Sequence, residues 1–289
     1  MVANAVPESG AFWAEIDGGR MHCQRAGSGP PLLLIHGLLG GSFCWRFNIT
    51  ELAARRTVFA PDLPGMGLSQ DSAAADYGMS SQADRLADFI AQNQLRDLDI
   101  VASSWGGAVA LLLAARMRQI RSLVLAAPVN PWSEYGQGRV RFLGSTFGAL
   151  LLRCALPFSR RFHALGLKRM YGDPARIGPG TLEGYSNLLL RRGRAGSLIS
   201  IMRNWEADLE VLREAIPRVQ APTLLVWGSL DGAVDPRSAP GLGQALACSR
   251  VEFLPGVGHL PFEESPEVFN RLVLDFIEQP HGTCAKLSP

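Results

Sequence analysis

Sulfur pairs, net charge and long apolar stretches are all scarce in this chain of 289 residues. Its cysteines, Cys23, Cys44, Cys154, Cys248 and Cys284, are odd in number, widely spaced and free of any CxxC pair. That pattern argues against a disulfide framework and a structural zinc site, and leaves small buried apolar residues as the expected role. The formal net charge is only +2, and there is no RNA-binding aromatic signature, zinc-finger spacing or basic tail, so nucleic acid is not an expected partner. The apolar runs, AVALLLAA after Trp105 and GALLLRCALP from Gly148, are shorter than the ~20 residues that cross a bilayer, and no transmembrane segment is expected. The opening MVANAVPESG has neither a basic nor an apolar leader region, which makes a cytoplasmic location the expectation.

What remains is an ordinary globular composition. A content of 47% hydrophobic and 19% charged residues, with 31 Gly and 19 Pro, excludes a disordered, collagenous or coiled-coil chain. The length is about twice that of a usual domain, consistent with one large domain or a core carrying an insertion.

FWAEIDG and RMHCQRAG, joined at Gly18-Gly19, read as a β-hairpin. PLLLIHG gives an apolar run ending in His-Gly, the pattern of a buried central strand with a loop at its C-terminal end. A helix near Trp45 to Arg55, the strand TVFAPD and the turn PGMG follow. SSQADRLADFIAQNQ reads as a helix capped by Ser80 or Ser81, with Leu86, Phe89 and Ile90 on one face. LDIVASS, GGAVALLLAARM and IRSLVLAAP continue as strand, buried helix and strand. Such alternation makes a mostly parallel, doubly wound α/β sheet flanked by helices.

From Trp132 to Glu206 the strand rhythm stops. RFLGSTFGALLLRCA, a Phe162–Met170 piece, LEGYSNLLLR and SLISIMRNW read as helices, so residues 132–206 are expected to form a helical cap inserted after the sixth strand, over the C-terminal edge of the sheet. Residues 1–131 and 207–289 then make the core, completed by the strand APTLLVWG, a helix in SAPGLGQALA, the strand RVEFLPG and the helix SPEVFNRLVLDFIEQ. Bases such as Arg139, Arg141, Arg153, Lys168 and Arg203 greatly outnumber acids in the cap. A solvated outer face accounts for them, as does attraction of anionic substrates, a membrane surface or an acidic partner. Its apolar residues, among them Phe142, Phe147, Leu150 and Leu151, are expected to pack in the core or to line an acyl pocket.

Chemistry concentrates at strand ends. Ala102-Ser103-Ser104-Trp105-Gly106-Gly107 lies where a strand turns at once into a helix, which strains the junction residue and projects its side chain above the sheet. Residues two positions away must be small; Ala102 and Gly106 are. A serine hydroxyl needs a base and the base an orienting acid. Asp231 in VWGSLDG and His259 in GVGHLPFEESP follow later strands, at the same sheet edge and in the order Ser, Asp, His. Asp235 and Glu134 are alternative acids. HGLLGG, from His36, could turn backbone N–H groups inward, making the amides of Leu38 and Trp105 oxyanion donors. It matches neither GxxxxGK[ST] nor GxGxxG, so a nucleotide is not expected there.

LLLIHGLLGG, DLPGMGLS, SSWGG, VWGSLDGAVDP and GVGHLPFEESPEVF together resemble the α/β-hydrolase superfamily, in its cap-bearing form, from about Leu32 to the final helix. The resemblance implies an α/β-hydrolase fold, with Ser104 as nucleophile, His259 as general base and acid, Asp231 as orienting acid, and Leu38 and Trp105 as oxyanion amides. Ala102 stands where the family usually has its first glycine, and Ser103 where histidine is frequent. Serine in the nucleophile position implies acyl chemistry, as in a carboxylesterase, on a small-molecule ester without metal or cofactor. Phe43, Val129, Val234 and Leu260 are the expected walls of the substrate site. Carbon–carbon bond hydrolases, lyases and non-catalytic receptors share the scaffold and are the alternatives.

Overall fold

The computed structural model describes residues 10–16, 19–70, 76–156, 160–191 and 193–279, with the side chains of 160–162 outside that description. Expectations that fall on Gly18, Arg192 and the segment after Gln279 lie outside the described residues.

Strands β1 (Gly10–Ile16) and β2 (Gly19–Ala26) form the antiparallel hairpin, with Gly10 opposite Arg25 and Ile16 opposite Gly19. In β3 (Pro31–Ile35), Leu32 and Leu34 join one apolar cluster while Leu33 and Ile35 join the other. The period of two places successive side chains on opposite faces, and both faces are covered by helices. Between β3 and β4 (Thr57–Pro61) the single helix expected near Trp45 to Arg55 is instead a 3-10 turn at Ser42–Trp45 and a short α1 (Ile49–Ala53). Buried Asn48 separates them, its amide donating to the Phe262 carbonyl and to Asn270 Oδ1.

Helix α2 (Met79–Gln92) buries Leu86, Phe89 and Ile90 as its periodicity predicts. Its N-terminus differs from expectation. Gly78 occupies the cap position without a side-chain bond, and Asp208, distant in sequence, accepts the Met79 N–H at 2.8 Å. Strand β5 (Leu98–Ser103), helix α3 (Ser104–Ala114) and β6 (Ile120–Ala126) follow, with ten of the eleven α3 residues buried.

After β6 come α4 (Gln137–Gly144), α5 (Thr146–Ala155), α6 (Arg160–Met170), α7 (Thr181–Leu189) and α8 (Arg194–Ala215). The stretch read as one helix, RFLGSTFGALLLRCA, breaks at Ser145, whose hydroxyl accepts the Gly148 N–H and caps α5. Helix α8 runs unbroken through 206 and 207, the boundary expected from the sequence, and packs on α2 and α3. The chain closes with β7 (Thr223–Gly228), α9 (Ala239–Ala245), β8 (Ser249–Leu254), α10 (Pro261–Glu264) and α11 (Pro266–Glu278).

The eight strands form one sheet in the order β1-β2-β4-β3-β5-β6-β7-β8, parallel from β4 to β8. Its C-terminal edge therefore gathers the loops after β3, β5, β7 and β8. Among the described residues no helix is long and apolar enough to cross a membrane. The cysteines depart from the uniform expectation: Cys23 and Cys44 are buried thiols, Cys154 is exposed, and Cys248 is disulfide-bonded. Spacing along a chain does not reveal which sulfurs meet in space.

Candidate active site

Ser104 adopts φ 53°, a left-handed conformation rare outside glycine, at the junction of β5 and α3. The turn closes only because its surroundings are small. A Cβ on Gly106 would lie 2.2 Å from the His36 carbonyl oxygen, and one on Gly37 would lie 3.0 Å from Ser104 Cβ. The Ser104 carbonyl accepts the Val129 N–H at 3.0 Å, pinning the elbow to the loop after β6.

His259 and Asp231 arrive from the loops after β8 and β7. His259 Nε2 lies 2.9 Å from Ser104 Oγ, and its Nδ1 lies 2.8 Å from Asp231 Oδ2. The other carboxylate oxygen, Oδ1, accepts the N–H groups of Ala233 and Val234 at 2.7 and 3.0 Å. Both side chains are buried, whereas Ser104 is partly exposed. With Asp231 as acceptor, Nδ1 carries the proton and Nε2 is left to accept the serine O–H. The other acids stand elsewhere. Asp235 pairs with Arg237 at 2.8 Å, which holds its carboxyl below the usual range, and Glu134 is exposed.

The histidine loop is wedged between two backbones. A Cβ on Gly228 would sit 2.0 Å from the Gly258 carbonyl oxygen, and one on Gly258 would sit 2.4 Å from the Gly172 nitrogen. The His259 N–H also donates to the Met170 carbonyl at 2.6 Å, tying the loop to the end of α6.

Leu38 follows Gly37, and Trp105 is the second residue of α3, in the first turn, where amides have no intrahelical partner. Leu39 takes φ 63° and the Gly40 N–H closes onto the Gly37 carbonyl, so HGLLGG forms a tight turn beside Ser104. His36 is buried and structural. It accepts the Leu63 N–H on Nε2, pairs Nδ1 with the Gly37 carbonyl, and burial pushes its pKa down, keeping the ring neutral.

A cavity beside this turn is lined by Leu38, Met66, Leu188, Arg194, Leu198 and Ile201. None of Phe43, Val129, Val234 and Leu260 lines it. Phe43 packs against Gly184 of α7 and under the Arg46 guanidinium; Val129 and Val234 are buried and bonded near Ser104 and Asp231; Leu260 is buried at the start of α10. Phe142, Phe147, Leu150 and Leu151 are 45 to 68% exposed, so neither expectation for them, core or pocket, holds.

Three carboxylates around the site went unread. Burial alone would raise the pKa of Asp62, but bonds from His22 and from the Ser42 and Leu68 N–H groups hold it below its ordinary value. Glu263 receives Arg46, Tyr171 and Tyr185, and burial together with that carboxylate raises both tyrosines. Glu264 accepts the N–H groups of Gly172, Asp173 and Gly258. DLPGMGLS and HLPFEESP hold these acids, but no local pattern separates a buried acid from a surface one. Among the described residues no group of three or more His, Cys, Asp or Glu is placed to hold a metal ion.

Residues 32–272 match the model of the alpha/beta hydrolase family. The Magnesium-chelatase 30 kDa subunit of Rhodobacter capsulatus is 28% identical over 255 residues, covering 86% of this chain and 87% of that protein. The 2-hydroxy-6-oxo-2,4-heptadienoate hydrolase of Pseudomonas putida is 26% identical, covering 87% and 90%. In three dimensions the epoxide hydrolase CorEH superposes with a TM-score of 0.81 at 23% identity over 93% of this chain and 98% of that one, a likeness of fold.

Proposed function

Because the chain belongs to the alpha/beta hydrolase family, we propose that it is a serine hydrolase cleaving carboxylic esters of small molecules through an acyl-enzyme. The observation that carries this reading is the unbroken relay from Asp231 Oδ2 through both ring nitrogens of His259 to Ser104 Oγ, with contacts of 2.8 and 2.9 Å. Ser104 Oγ attacks the ester carbonyl carbon as its proton passes to His259 Nε2, and Asp231 stabilises the imidazolium. The Leu38 and Trp105 amides hold the oxyanion. His259 returns the proton to the departing alcohol, then takes one from the water that cleaves the acyl-enzyme and restores Ser104. Val129, Val234, Leu260 and Phe43 stand in this reading as walls of the substrate site, and residues 132–206 as its cap over a core of 1–131 and 207–289.

A fluorophosphonate probe tests the reading together with p-nitrophenyl acetate and butyrate. Wild-type protein is expected to be labelled and to turn both esters over, while Ser104→Ala loses labelling and turnover with its thermal melt unchanged. Activity retained by Ser104→Ala overturns the proposal, and an unlabelled wild-type protein would mark a receptor. The Pseudomonas putida relative is named for cleavage of a dienoic ketoacid, so that chemistry is the second substrate class to assay. Turnover of the ketoacid without turnover of esters would replace ester hydrolysis by carbon–carbon cleavage on the same serine.

A further inference from the structure

Helix α5 turns a row of large apolar side chains away from the protein. Phe147, Leu150 and Leu151 are 68, 60 and 48% exposed, and with exposed Cys154 they follow the i, i+3, i+4, i+7 spacing of one helix face. Gly148, Ala149 and partly buried Leu152 make the inner face, while Phe147, the bulkiest residue of the helix, is the most exposed of its large apolar side chains. Phe142 of α4, 45% exposed, extends the patch by an edge contact with Phe147, ring centroids 6.2 Å apart. A contiguous apolar surface of this kind marks a place where something else docks.

The rim indicates what docks there. Residues 137–155 hold Arg139, Arg141 and Arg153 and no acidic residue. Exposed Arg139 lies one turn before Phe142 and exposed Arg153 one turn after Leu150; neither forms an ion pair among the described residues. Arg203 of α8 adds a fourth cation, its Nε donating to the Gly144 carbonyl at the α4–α5 corner. Only Arg141 is matched, by Glu206. A second copy of this chain would bring a patch rimmed by the same cations against this one, a repulsive arrangement. An anionic phospholipid surface complements both parts, acyl chains taking the phenylalanines and leucines and headgroup phosphates taking the arginines. Ten residues make α5 about 15 Å long, enough to lie in the interface and too short to cross it.

We propose that the α4–α5 face of the cap docks on anionic phospholipid membranes, with α5 lying flat at the headgroup level. This holds whatever reaction Ser104 performs, and it is read without any enzyme assay. The full chain is floated with vesicles of phosphatidylcholine containing about a quarter phosphatidylglycerol, and with phosphatidylcholine alone. The expected result is flotation with the anionic vesicles only, weakened when salt is raised to about 0.5 M. Phe147→Ser with Leu150→Ser is expected to lower the bound fraction at least ~10-fold, and Arg139→Glu with Arg153→Glu to do so by more than ~20-fold, at about fivefold per basic residue lost. Circular dichroism melts of both double variants should match wild type, since all four side chains are exposed. A Phe147→Trp variant should shift its emission to the blue on anionic vesicles. Absence of anionic-vesicle flotation overturns the proposal, as does flotation that the serine variant leaves unchanged. A concentration-dependent dimer in sedimentation, dissociated by the serine substitutions, would assign the face to a second copy and overturn it equally.

Discussion

Asp231 presents its two oxygens to different donors, and that asymmetry decides what an isosteric change does. Oδ1 accepts two backbone N–H groups while Oδ2 faces His259 Nδ1. In Asp231→Asn the amide oxygen stays on the backbone donors, so the NH2 group points at Nδ1 and donates to it. The imidazole proton then moves to Nε2, the wrong side for accepting from Ser104. If the proposed roles hold, kcat for p-nitrophenyl butyrate should fall about 10³- to 10⁴-fold with KM little changed. Asp62 gives a different residue-scale expectation. Its folded pKa is depressed, so the stability it contributes is present above the unfolded carboxylate value of about 4 and is lost as pH falls through the lower folded value. Asp62→Asn should therefore cost about 1–3 kcal/mol in urea denaturation at neutral pH, with the gap to wild type closing below about pH 4. Residues whose role follows from neighbours in sequence were legible: Gly106 and Ala102 flank Ser104 as a strand-to-helix elbow requires. Asp62 was not, because His22 of β2 and Ser42 of the 3-10 turn reach it from segments distant in the sequence.

At the scale of elements, periodicity identified which segments are helices and strands, and long-range contacts moved their ends. Two serines at the start of α2 offered a local cap, yet Asp208 of α8 takes that place because the two helices pack together. Asp208→Ala should cost about 1 kcal/mol, the usual value of a lost cap. Burial raises the Asp208 pKa, so its ionised form is disfavoured in the folded state. Asp208→Asn keeps an acceptor without the charge and should melt close to wild type. Both are read by thermal and urea unfolding. The α4–α5 break was legible in hindsight from Ser145 followed by Gly148, a cap three residues before its donor. The orientation of α5 was not. Phe147, Leu150 and Leu151 share one face of the helix, and a pattern of that kind ordinarily marks the side that turns inward.

Across the whole molecule, adjacent carboxylates of α10 tie the helices between β6 and β7 to the rest of the fold. Glu263 is buried between Arg46, before α1, and Tyr171 and Tyr185, which stand just after α6 and in α7. Glu264 accepts N–H groups from Gly172, after α6, and from Gly258 of the His259 loop. Arg46→Ala would leave the Glu263 charge buried without its cation, which costs about 3–5 kcal/mol. That loss should appear as a lower urea midpoint, with limited proteolysis cutting first among the helices between β6 and β7.

The order of apolar runs, breakers and small residues along the chain determined the parallel sheet and the strand ends that carry Ser104, Asp231 and His259, since each depends on local geometry or on topology that repeats, and the motifs at those ends carried the resemblance to the family. Only the tertiary structure decided which acids are buried, what caps α2 and which way the phenylalanines of α4 and α5 point. Those outcomes depend on contacts between segments far apart in the chain, and periodicity within one segment carries no information about its eventual neighbour.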